Sequence, residues 1–297
     1  MKCPVCQNLK TQYFLETANT HGSFRLSQEK FVILLCPLCG VIFPRVVAGK
    51  NFYKRYYPQN YYISSRLTNP ILQRTYCLAA KFFLRLQLGR YLKTGRVLDF
   101  GCGKGEFLAS LPPTTEKYGV TINQQAVKFI KEHYSGINIF SDWEKLRSKR
   151  LKFDLITLWH ALEHLAAPEK ILGELVPLLR RDGFLVISTP NSCSLGFSIF
   201  KGNWFHLDTP RHLVIFNLDV LRNLYKKVGL KIVDVKINLI EFPLDLFHSL
   251  YNQLRTKKKF LNIFLVLFIL PISLLLKVGA LFYPGKAETL LIVCQKT

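Results

Sequence analysis

The stretch Val97-Leu98-Asp99-Phe100-Gly101-Cys102-Gly103-Lys104-Gly105-Glu106-Phe107 decides the fold. Its first four residues are apolar apart from Asp99, and this pattern predicts a buried strand. The three glycines at alternating positions predict a tight turn whose backbone a ligand can approach closely, followed by the start of a helix. A glycine loop by itself fits a ligand site and a plain tight turn equally well, so its meaning depends on the rest of the chain.

The sequence on both sides of this stretch alternates between strand and helix patterns. Short apolar runs at 153–158 and 183–188 predict two more buried strands. Residues 124–134 and 168–179 have the apolar spacing of helices, with one face apolar in the second of them. Strands that alternate with helices predict an α/β protein with a mostly parallel, doubly wound sheet.

Composition narrows the class of protein. The chain has 297 residues, of which 49% are hydrophobic and 20% charged, and these values are typical of a globular protein with a sizeable core. They exclude a disordered chain, a peptide hormone and a fibrous repeat. The net charge of +22 predicts attraction to polyanions, either nucleic acid or anionic lipid headgroups, and charge alone does not choose between them.

Two cysteine pairs near the N-terminus predict a metal site. No apolar segment follows the basic start in the way of a secretory signal, so we expect a reducing, cytoplasmic compartment in which cysteines are thiols or metal ligands. Cys3 and Cys6 form one CxxC pair, and Cys36 and Cys39 form another that is followed by Gly40. Four thiolates at this spacing can close a tetrahedral Zn²⁺ site of structural type, and the alternative is a set of thiols without metal.

These motifs together resemble the class I S-adenosylmethionine-dependent methyltransferases, whose first motif has the form D-x-G-x-G-x-G. Residues 153–164 look like the fourth strand of that family and the loop after it, and residues 181–187 look like the turn into the fifth strand. The chain is also similar to zinc-ribbon members of this family that are associated with bacterial cell-surface polysaccharide and lipid pathways. Three stretches carry this similarity: CPLCG at 36–40, YYPQNYY at 56–62 and WFHLDTPRHL at 204–213.

The composition of each segment and the resemblance, which covers about residues 90–240 and the final strand, together predict a domain organisation. Residues 1–50 would form a small zinc ribbon, and residues 51–90 a tyrosine-rich linker and helix. Residues 91–297 would form the methyltransferase domain, an α/β, doubly wound, seven-stranded Rossmann-like sheet. Residues 244–286 would be an apolar, membrane-associating insert before the last strand.

The resemblance also implies S-adenosylmethionine as the cofactor and a set of residues around it. Asp99 would orient the loop and the amino group of the cofactor, and the glycines would flank its methionine part. Thr121 stands where the family usually has a ribose-binding acid, as in the GVTLS form of cyclopropane fatty-acid synthases, where a nearby glutamine such as Gln124 or Gln125 helps. The cofactor-binding residues implied in this way are Asp99, Gly101, Gly103, Gly105, Thr121, Gln124, Asp142, Trp143 and Trp159. Asp142 and Trp143 fall where the family contacts adenine, and Trp159 faces the methyl group.

Histidines are the candidate catalytic residues. If the methyl acceptor is a hydroxyl, its proton must leave, and a histidine with a pKa near neutrality is the usual base. His160, His206 and His212, with His164 beside them, lie in predicted loops near the carboxyl ends of the strands, where open α/β sheets bind ligands. The alternative for each is a structural hydrogen bond, and Arg211 fits either an anionic group or an ion pair.

The region before the last strand predicts membrane contact. Residues 260–276 are 17 residues without a charge, they contain Pro271, and they follow a basic cluster at 255–259. A membrane-spanning helix needs about 20 apolar residues, so this run is borderline. Lipid headgroups attract such basic clusters, although a buried helix or a dimer face would also explain an apolar run.

The strand after this region argues against a single membrane crossing. Residues 288–294 resemble the closing strand of this family, and the resemblance implies that the strand enters the same sheet as residues 231–235. One crossing would leave that strand on the wrong side, so we expect an interfacial or re-entrant hairpin on the cytoplasmic face of the cell membrane, peripheral or monotopic. An apolar stripe on a predicted helix, made of Leu246, Phe247, Leu250, Tyr251 and Leu254, would lie on the same bilayer.

The first hypothesis is therefore a methyltransferase that O-methylates a lipid or lipid-linked glycan at an anionic membrane surface. One alternative is a zinc-ribbon RNA methyltransferase, since +22 suits a phosphate backbone. Another is a non-catalytic cofactor-binding module, suggested by Thr121. The sequence names neither the acceptor nor the oligomeric state.

Overall fold

The computed structural model describes residues 1–18, 29–57, 87–91, 95–237, 244–254 and 282–297, with the single positions 271, 275 and 279. The predicted apolar run at 260–276 and the basic cluster before it lie largely outside the described residues, as does most of the tyrosine-rich segment. None of the helices within the described parts has both the length and the hydropathy that a membrane crossing requires.

A small antiparallel sheet forms the N-terminal part. It contains β1 (Gln12–Ala18), β2 (Lys30–Leu35) and β3 (Ile42–Pro44) in the order β1-β2-β3, and helix α1 (Lys50–Tyr56) follows it. Ile42 and Ile215 exchange backbone hydrogen bonds, of which Ile215 N–H to Ile42 O is 2.8 Å long. The N-terminal sheet is thus joined through its last strand to the larger unit.

The larger unit is built on a seven-stranded sheet. Its strands are β4 (Arg96–Phe100), β5 (Glu116–Val120), β6 (Ile137–Phe140), β7 (Phe153–Trp159), β8 (Leu179–Pro190), β9 (Leu230–Lys236) and β10 (Thr289–Lys296). Their order is β6-β5-β4-β7-β8-β10-β9, and β10 runs antiparallel to both of its neighbours while the other pairs are parallel. The mostly parallel, doubly wound sheet predicted from the sequence is confirmed.

Helices cover the sheet. They are α2 (Glu106–Ser110), α3 (Gln124–His133), α4 (Trp143–Arg147), α5 (Pro168–Leu175), α6 (Leu195–Phe200), α7 (Leu218–Lys227) and α8 (Asp245–Leu254). Asn123 begins α3 because its side chain accepts a hydrogen bond from Ala126 N–H at 2.9 Å. Helix α5 is shorter than predicted: it gives way to a 3₁₀ turn at Val176–Leu178, where Pro177 has no amide hydrogen for a helical bond.

The core lies on both faces of the central strands. In β4, β7, β8 and β10, one face carries Leu98, Ile156, Ile187 and Ile292, and the other carries the neighbouring residues Val97, Leu155, Val186 and Leu291; all eight are buried. Strands covered by helices on both faces need apolar side chains in both directions, and this explains why these segments are almost continuously apolar. The position of Ile292 opposite both Ile187 and Val235 also confirms that the closing strand returns to the sheet.

Helix α8 buries several polar side chains, which is unusual for an amphipathic helix. The side chains on its buried face include the polar residues Asp245, Ser249 and Asn252. Of the apolar stripe predicted to contact a bilayer, Leu246 is buried instead, whereas Tyr251 is 42% exposed. The polar residues point inward because they hydrogen-bond to the loop at 203–206, which the sequence pattern could not show.

Candidate active site and metal centre

The glycine turn after β4 has the backbone conformation that its composition predicts. Gly101, Gly103 and Gly105 have φ values of 84°, 50° and 73°, in the left-handed region that favours glycine. A Cβ atom at Gly101 would lie 2.7 Å from the Cβ of Ala161. The glycine turn therefore packs directly against the turn that follows β7, and the two turns form neighbouring walls of the site.

Asp99 lies buried at the end of β4, just before this turn. Its carboxylate accepts a hydrogen bond from the Thr157 hydroxyl at 2.8 Å. Burial raises the pKa of Asp99 to about 7, although the Thr157 hydrogen bond acts in the opposite direction. A cationic group of a ligand placed beside this carboxyl would favour its ionised form, as the predicted contact with an amino group requires.

Trp159 provides the observation that tests whether a cofactor fits here. Its indole Nε1 is buried and has no hydrogen-bond partner among the described residues. The ring packs against Phe107, with 5.5 Å between centroids. A buried N–H without an acceptor costs free energy, so it favours a ligand acceptor at the exit of β7. The glycine turn, Asp99 and this donor fit S-adenosylmethionine.

The predicted ribose and adenine contacts lie at the ends of β5 and β6. Thr121 is buried directly after β5, and Gln124 is exposed in the first turn of α3. Asp142 caps α4 by accepting from Glu144 N–H at 3.0 Å. Trp143 donates from Nε1 to Glu174 at 2.8 Å. Asp142 and Trp143 therefore also have structural roles.

His160 begins the turn after β7, and hydrogen-bond partners hold both of its ring nitrogens. It has a left-handed φ of 47°. Its Nδ1 lies 3.1 Å from Glu163 Oε1, and its Nε2 lies 3.2 Å from the Ser188 hydroxyl. The predicted catalytic residue His160 is thus fixed in orientation by its neighbours.

Glu163 is a site residue that the sequence analysis missed. It is fully buried and also accepts a hydrogen bond from the Thr189 hydroxyl at 3.0 Å. Burial alone would raise its pKa, but the His160 hydrogen bond and the nearby histidines lower the pKa to about 2. The available signal was the spacing His160-x-x-Glu163-His164, which puts three ligand-type side chains within one turn.

The loop at 204–212 contains two more of the predicted catalytic histidines. His206 is buried, with Nε2 3.2 Å from Asp245 of helix α8. His212 is also buried, and its Nδ1 lies 2.7 Å from the His206 carbonyl oxygen. Burial lowers the pKa of His212 to about 3, so the imidazole is neutral at pH 7. Arg211 is fully buried and paired with Asp208.

His164 connects this loop to the N-terminal part. The hydroxyl of Tyr57, the residue after α1, lies 2.8 Å from His164 Nδ1 although the two residues are 107 positions apart. The Arg211 carbonyl oxygen lies 3.0 Å from the same nitrogen. Glu163, His164 and His212 each offer a ligand atom within 4.8 Å of the other two. We call these three residues the Glu–His–His cluster.

The four paired cysteines converge at the edge of the N-terminal sheet. Sγ of Cys3 lies 3.7 Å from Sγ of Cys39, and Sγ of Cys6 lies 3.4 Å from Sγ of Cys36. Zn–S bonds of about 2.3 Å in a tetrahedron put sulfurs about 3.8 Å apart, so the four donors fit Zn²⁺. The hydrogen bond with Cys39 lowers the pKa of Cys3 to about 5 and raises that of Cys39.

Comparison with known proteins gives one family match. The family model described as "Methyltransferase domain" matches residues 72–235, more than half of the chain. The ubiquinone biosynthesis O-methyltransferase of Bartonella tribocorum (strain CIP 105476 / IBS 506) is 26% identical over 153 residues, covering 47% of this chain and 61% of that protein. The same enzyme of Glaesserella parasuis serovar 5 (strain SH0165) is 27% identical over 117 residues, covering 35% and 49%. The chain thus matches between about half and three-fifths of the length of these curated relatives.

A solved structure supports the fold. The plantazolicin methyltransferase BpumL, in complex with a monoazolic desmethylPZN analog and SAH, aligns with a TM-score of 0.51 at 17% identity. The alignment covers 82% of this chain and 93% of that chain. At this identity the similarity is one of fold.

Proposed function

Because the chain belongs to the methyltransferase-domain family, we propose that it is an S-adenosylmethionine-dependent methyltransferase. Its acceptor in this proposal is a hydroxyl of a lipid or lipid-linked glycan at the inner membrane surface. The ubiquinone biosynthesis O-methyltransferases that it resembles support oxygen as the acceptor atom. The Cys3, Cys6, Cys36 and Cys39 centre holds a structural zinc ion in this proposal, and its four protein ligands leave no position open for catalysis.

The cofactor side of the site is formed by the glycine turn and its neighbours. S-adenosylmethionine supplies a methyl group on a sulfonium, which passes to an acceptor aligned with the breaking bond. Asp99 would accept hydrogen bonds from the amino group, and Trp159 Nε1, which has no partner among the described residues, would donate to the ligand from the exit of β7. Thr121 and Gln124 would contact the ribose, while Asp142 and Trp143 would border the adenine. Holding both reactants close in a dry site accounts for much of the acceleration.

The acceptor side is formed by the Glu–His–His cluster. Two of its members, Glu163 and His164, follow Trp159 in the turn after β7, where Ala161 leaves no room for a Cβ atom at Gly101 of the glycine turn. We assign activation of the acceptor hydroxyl to the cluster. His160 and His206 are positioning residues in this assignment, because the first holds the Glu163 carboxylate and the second holds His212 through its carbonyl group.

The polar side chains that helix α8 buries, and the apolar residues exposed beside them, carry the proposal of a lipid acceptor. The polar face is bound to the loop that bears His206: Ser249 Oγ accepts from Phe205 N–H at 2.9 Å, and Asn252 donates to Asn203 O at 3.3 Å. Of the apolar residues in and beside α8, Leu246 is buried, whereas Tyr251 is 42% and Leu244 is 37% exposed. Exposed apolar residues next to the acceptor loop suit an enzyme that takes its substrate from a membrane.

Three further apolar residues, in a helix that packs against α8 or at the end of the segment after it, are exposed. Ile199 of α6, which packs against α8, is 54% exposed. Phe282 and Tyr283, at the far end of the segment that begins after α8, are 77% and 71% exposed. The basic cluster at 255–259 adds attraction to anionic headgroups.

Methyl-labelled S-adenosylmethionine tests this function. The full chain is incubated with it in the presence of a bacterial membrane lipid extract and, separately, of ribosomal RNA. We expect label in the lipid phase, and none there with Asp99→Asn, whose S-adenosylmethionine affinity should fall at least tenfold by calorimetry. Label in RNA alone would establish the RNA methyltransferase instead. Cofactor binding without transfer to either fraction would favour the non-catalytic module.

A further inference from the structure

His212 has one ring nitrogen that carries a free lone pair. Its Nδ1 lies 2.7 Å from the His206 carbonyl oxygen, and only an Nδ1–H can donate to a carbonyl. The neutral ring then has a bare Nε2. The nearest carboxylate oxygen of Asp208 is 3.9 Å from Nε2, too far for a hydrogen bond, and it adds negative charge beside that lone pair.

His164 has the same tautomer for a related reason. Tyr57 Oη, the Arg211 carbonyl oxygen and His164 Nδ1 form a triangle with sides of 2.8, 3.0 and 3.3 Å. An Nδ1–H satisfies all three contacts, because it donates into the triangle while the Tyr57 hydroxyl donates to the carbonyl oxygen. A bare Nδ1 would instead face that oxygen at 3.0 Å with no hydrogen between them. His164 Nε2 therefore also carries a lone pair.

Glu163 supplies the third ligand group, a carboxylate whose position is fixed by two neighbouring side chains. One oxygen contacts His160 Nδ1 and the other accepts from the Thr189 hydroxyl, so each oxygen retains acceptor capacity. Among the described residues, no hydrogen-bond donor reaches Nε2 of His164 or His212. The cluster thus offers three electron-pair donors, a ligand atom of each residue lies within 4.8 Å of those of the other two, and such a set suits a cation.

We propose that Glu163, His164 and His212 bind a divalent transition-metal cation, a second metal site distinct from the cysteine centre. Histidines that ligate metals donate their other ring N–H to a carbonyl or carboxylate, and both histidines do so here through Nδ1. Two imidazoles and a carboxylate suit Mn²⁺, Fe²⁺ or Zn²⁺ and leave coordination positions open.

The open positions give the cation a role at the acceptor side. An oxygen bound to a divalent cation loses its proton to solvent near neutral pH far more readily than a free hydroxyl does. The cluster would therefore activate the acceptor oxygen through the cation rather than as a base. This role rests on the proposed methyl transfer, whereas the metal site itself does not.

Manganese binding tests the site without any methyl acceptor. Mn²⁺ is titrated into the full chain, with its cysteine centre loaded with zinc, and free Mn²⁺ is followed by electron paramagnetic resonance. Mn²⁺ prefers oxygen and nitrogen ligands to thiolates, so the cysteine centre does not interfere. We expect one Mn²⁺ bound per chain, and at least tenfold weaker binding in Glu163→Gln and in His212→Asn, whose amide can still donate to the His206 carbonyl oxygen.

His133→Asn is the matched control. His133 is exposed, and its Nδ1 also faces a backbone carbonyl oxygen, that of Phe129 at 2.9 Å. Its substitution should leave Mn²⁺ affinity unchanged. If His212→Asn does not fold by circular dichroism, His164→Asn replaces it. Absence of bound Mn²⁺ in the wild type, or unchanged affinity in the folded cluster variants, overturns the metal site. Mn²⁺ binding without methyl transfer overturns only the proposed function.

Discussion

Glu288 is a buried carboxyl group whose ionisation is coupled to folding. It accepts hydrogen bonds from Gly196 N–H at 2.7 Å and Trp204 Nε1 at 2.5 Å. Burial, and then the nearby Asp245, raise its pKa from 4.5 to about 7. The folded state therefore binds a proton more tightly at this position than the unfolded state does, and protonation contributes stability.

The stability contribution of Glu288 should fall as the pH rises. It is fully present below a pH of about 4.5 and is lost as the pH passes through about 7. We expect the free energy of unfolding to decline between pH 5 and 8, and Glu288→Gln to make that decline smaller by about 3 kcal/mol. Urea denaturation of the wild type and of Glu288→Gln at several pH values measures the two declines. Parallel decline in the two proteins would show that Glu288 is not the group responsible. Asp99, also raised to about 7, titrates in both proteins.

Gly103 offers a test of the cofactor site at a single residue. Gly103→Val places a branched side chain on the turn where a ligand meets the backbone, so we expect S-adenosylmethionine affinity to fall at least tenfold by calorimetry. Gly136→Val is the control, since Gly136 has a similar φ of 74° and open space where its Cβ would lie. Both variants pay a backbone strain of about 1–2 kcal/mol. Equal cofactor binding by the two would refute the assignment of the turn.

At the scale of elements, the two cysteine turns of the N-terminal part are copies of one geometry. Gln7 and Gly40, each directly after a second cysteine, have φ values of 63° and 77°. Each donates its backbone N–H to the carbonyl oxygen of the first cysteine in its own pair, at 3.1 and 2.8 Å. The sequence signals this turn at Gly40 only, because glutamine gives no hint of a left-handed conformation.

One zinc ion per chain is expected at this centre. The small sheet of β1, β2 and β3 has little core of its own, so metal binding should contribute to its folding. Elemental analysis should give one zinc in the wild type and none in Cys3→Ser with Cys36→Ser, which should also melt at a lower temperature. Cys193→Ser, an exposed cysteine outside the centre, should keep its zinc. Zinc retained by the double variant, or absent from the wild type, contradicts the prediction.

At the scale of the whole molecule, we expect the position of the positive charges to affect membrane binding more than their total number does. We expect charge reversal at Lys257, Lys258 and Lys259 to reduce sedimentation with anionic vesicles, because these lysines adjoin the apolar segment. High salt alone should release little protein, since it does not weaken apolar burial. The control reverses three lysines at exposed positions on other helices, Lys131, Lys145 and Lys226, with the same change in net charge.

The two charge variants separate a docking site from general attraction. Strong loss of vesicle binding in the first variant and little loss in the control support docking through the region after α8. Equal loss in both would mean that net charge alone attracts the protein to vesicles. Wild-type binding by the first variant would contradict the role of the basic cluster.

The sequence by itself determined the features that depend only on residues close to one another along the chain. The strand at 96–100, the glycine turn and the matched cysteine pairs were predictable because strand periodicity, left-handed turns and ligand spacing are local properties. The return of β10 to the sheet was predictable from the family resemblance. The roles of the individual site residues remain proposals.

Only the tertiary structure determined which residues that are far apart in sequence come into contact. The sequence did not indicate that Tyr57 reaches His164, that Glu163 faces His212, or that helix α8 turns its polar side inward. A side chain that hydrogen-bonds to a distant loop can reverse the face predicted from hydropathy, because a buried polar group must be paired. The sequence predicted that residues around 246–254 form a helix. Which side of that helix is buried depended on partners some 40 residues away, such as His206 for Asp245.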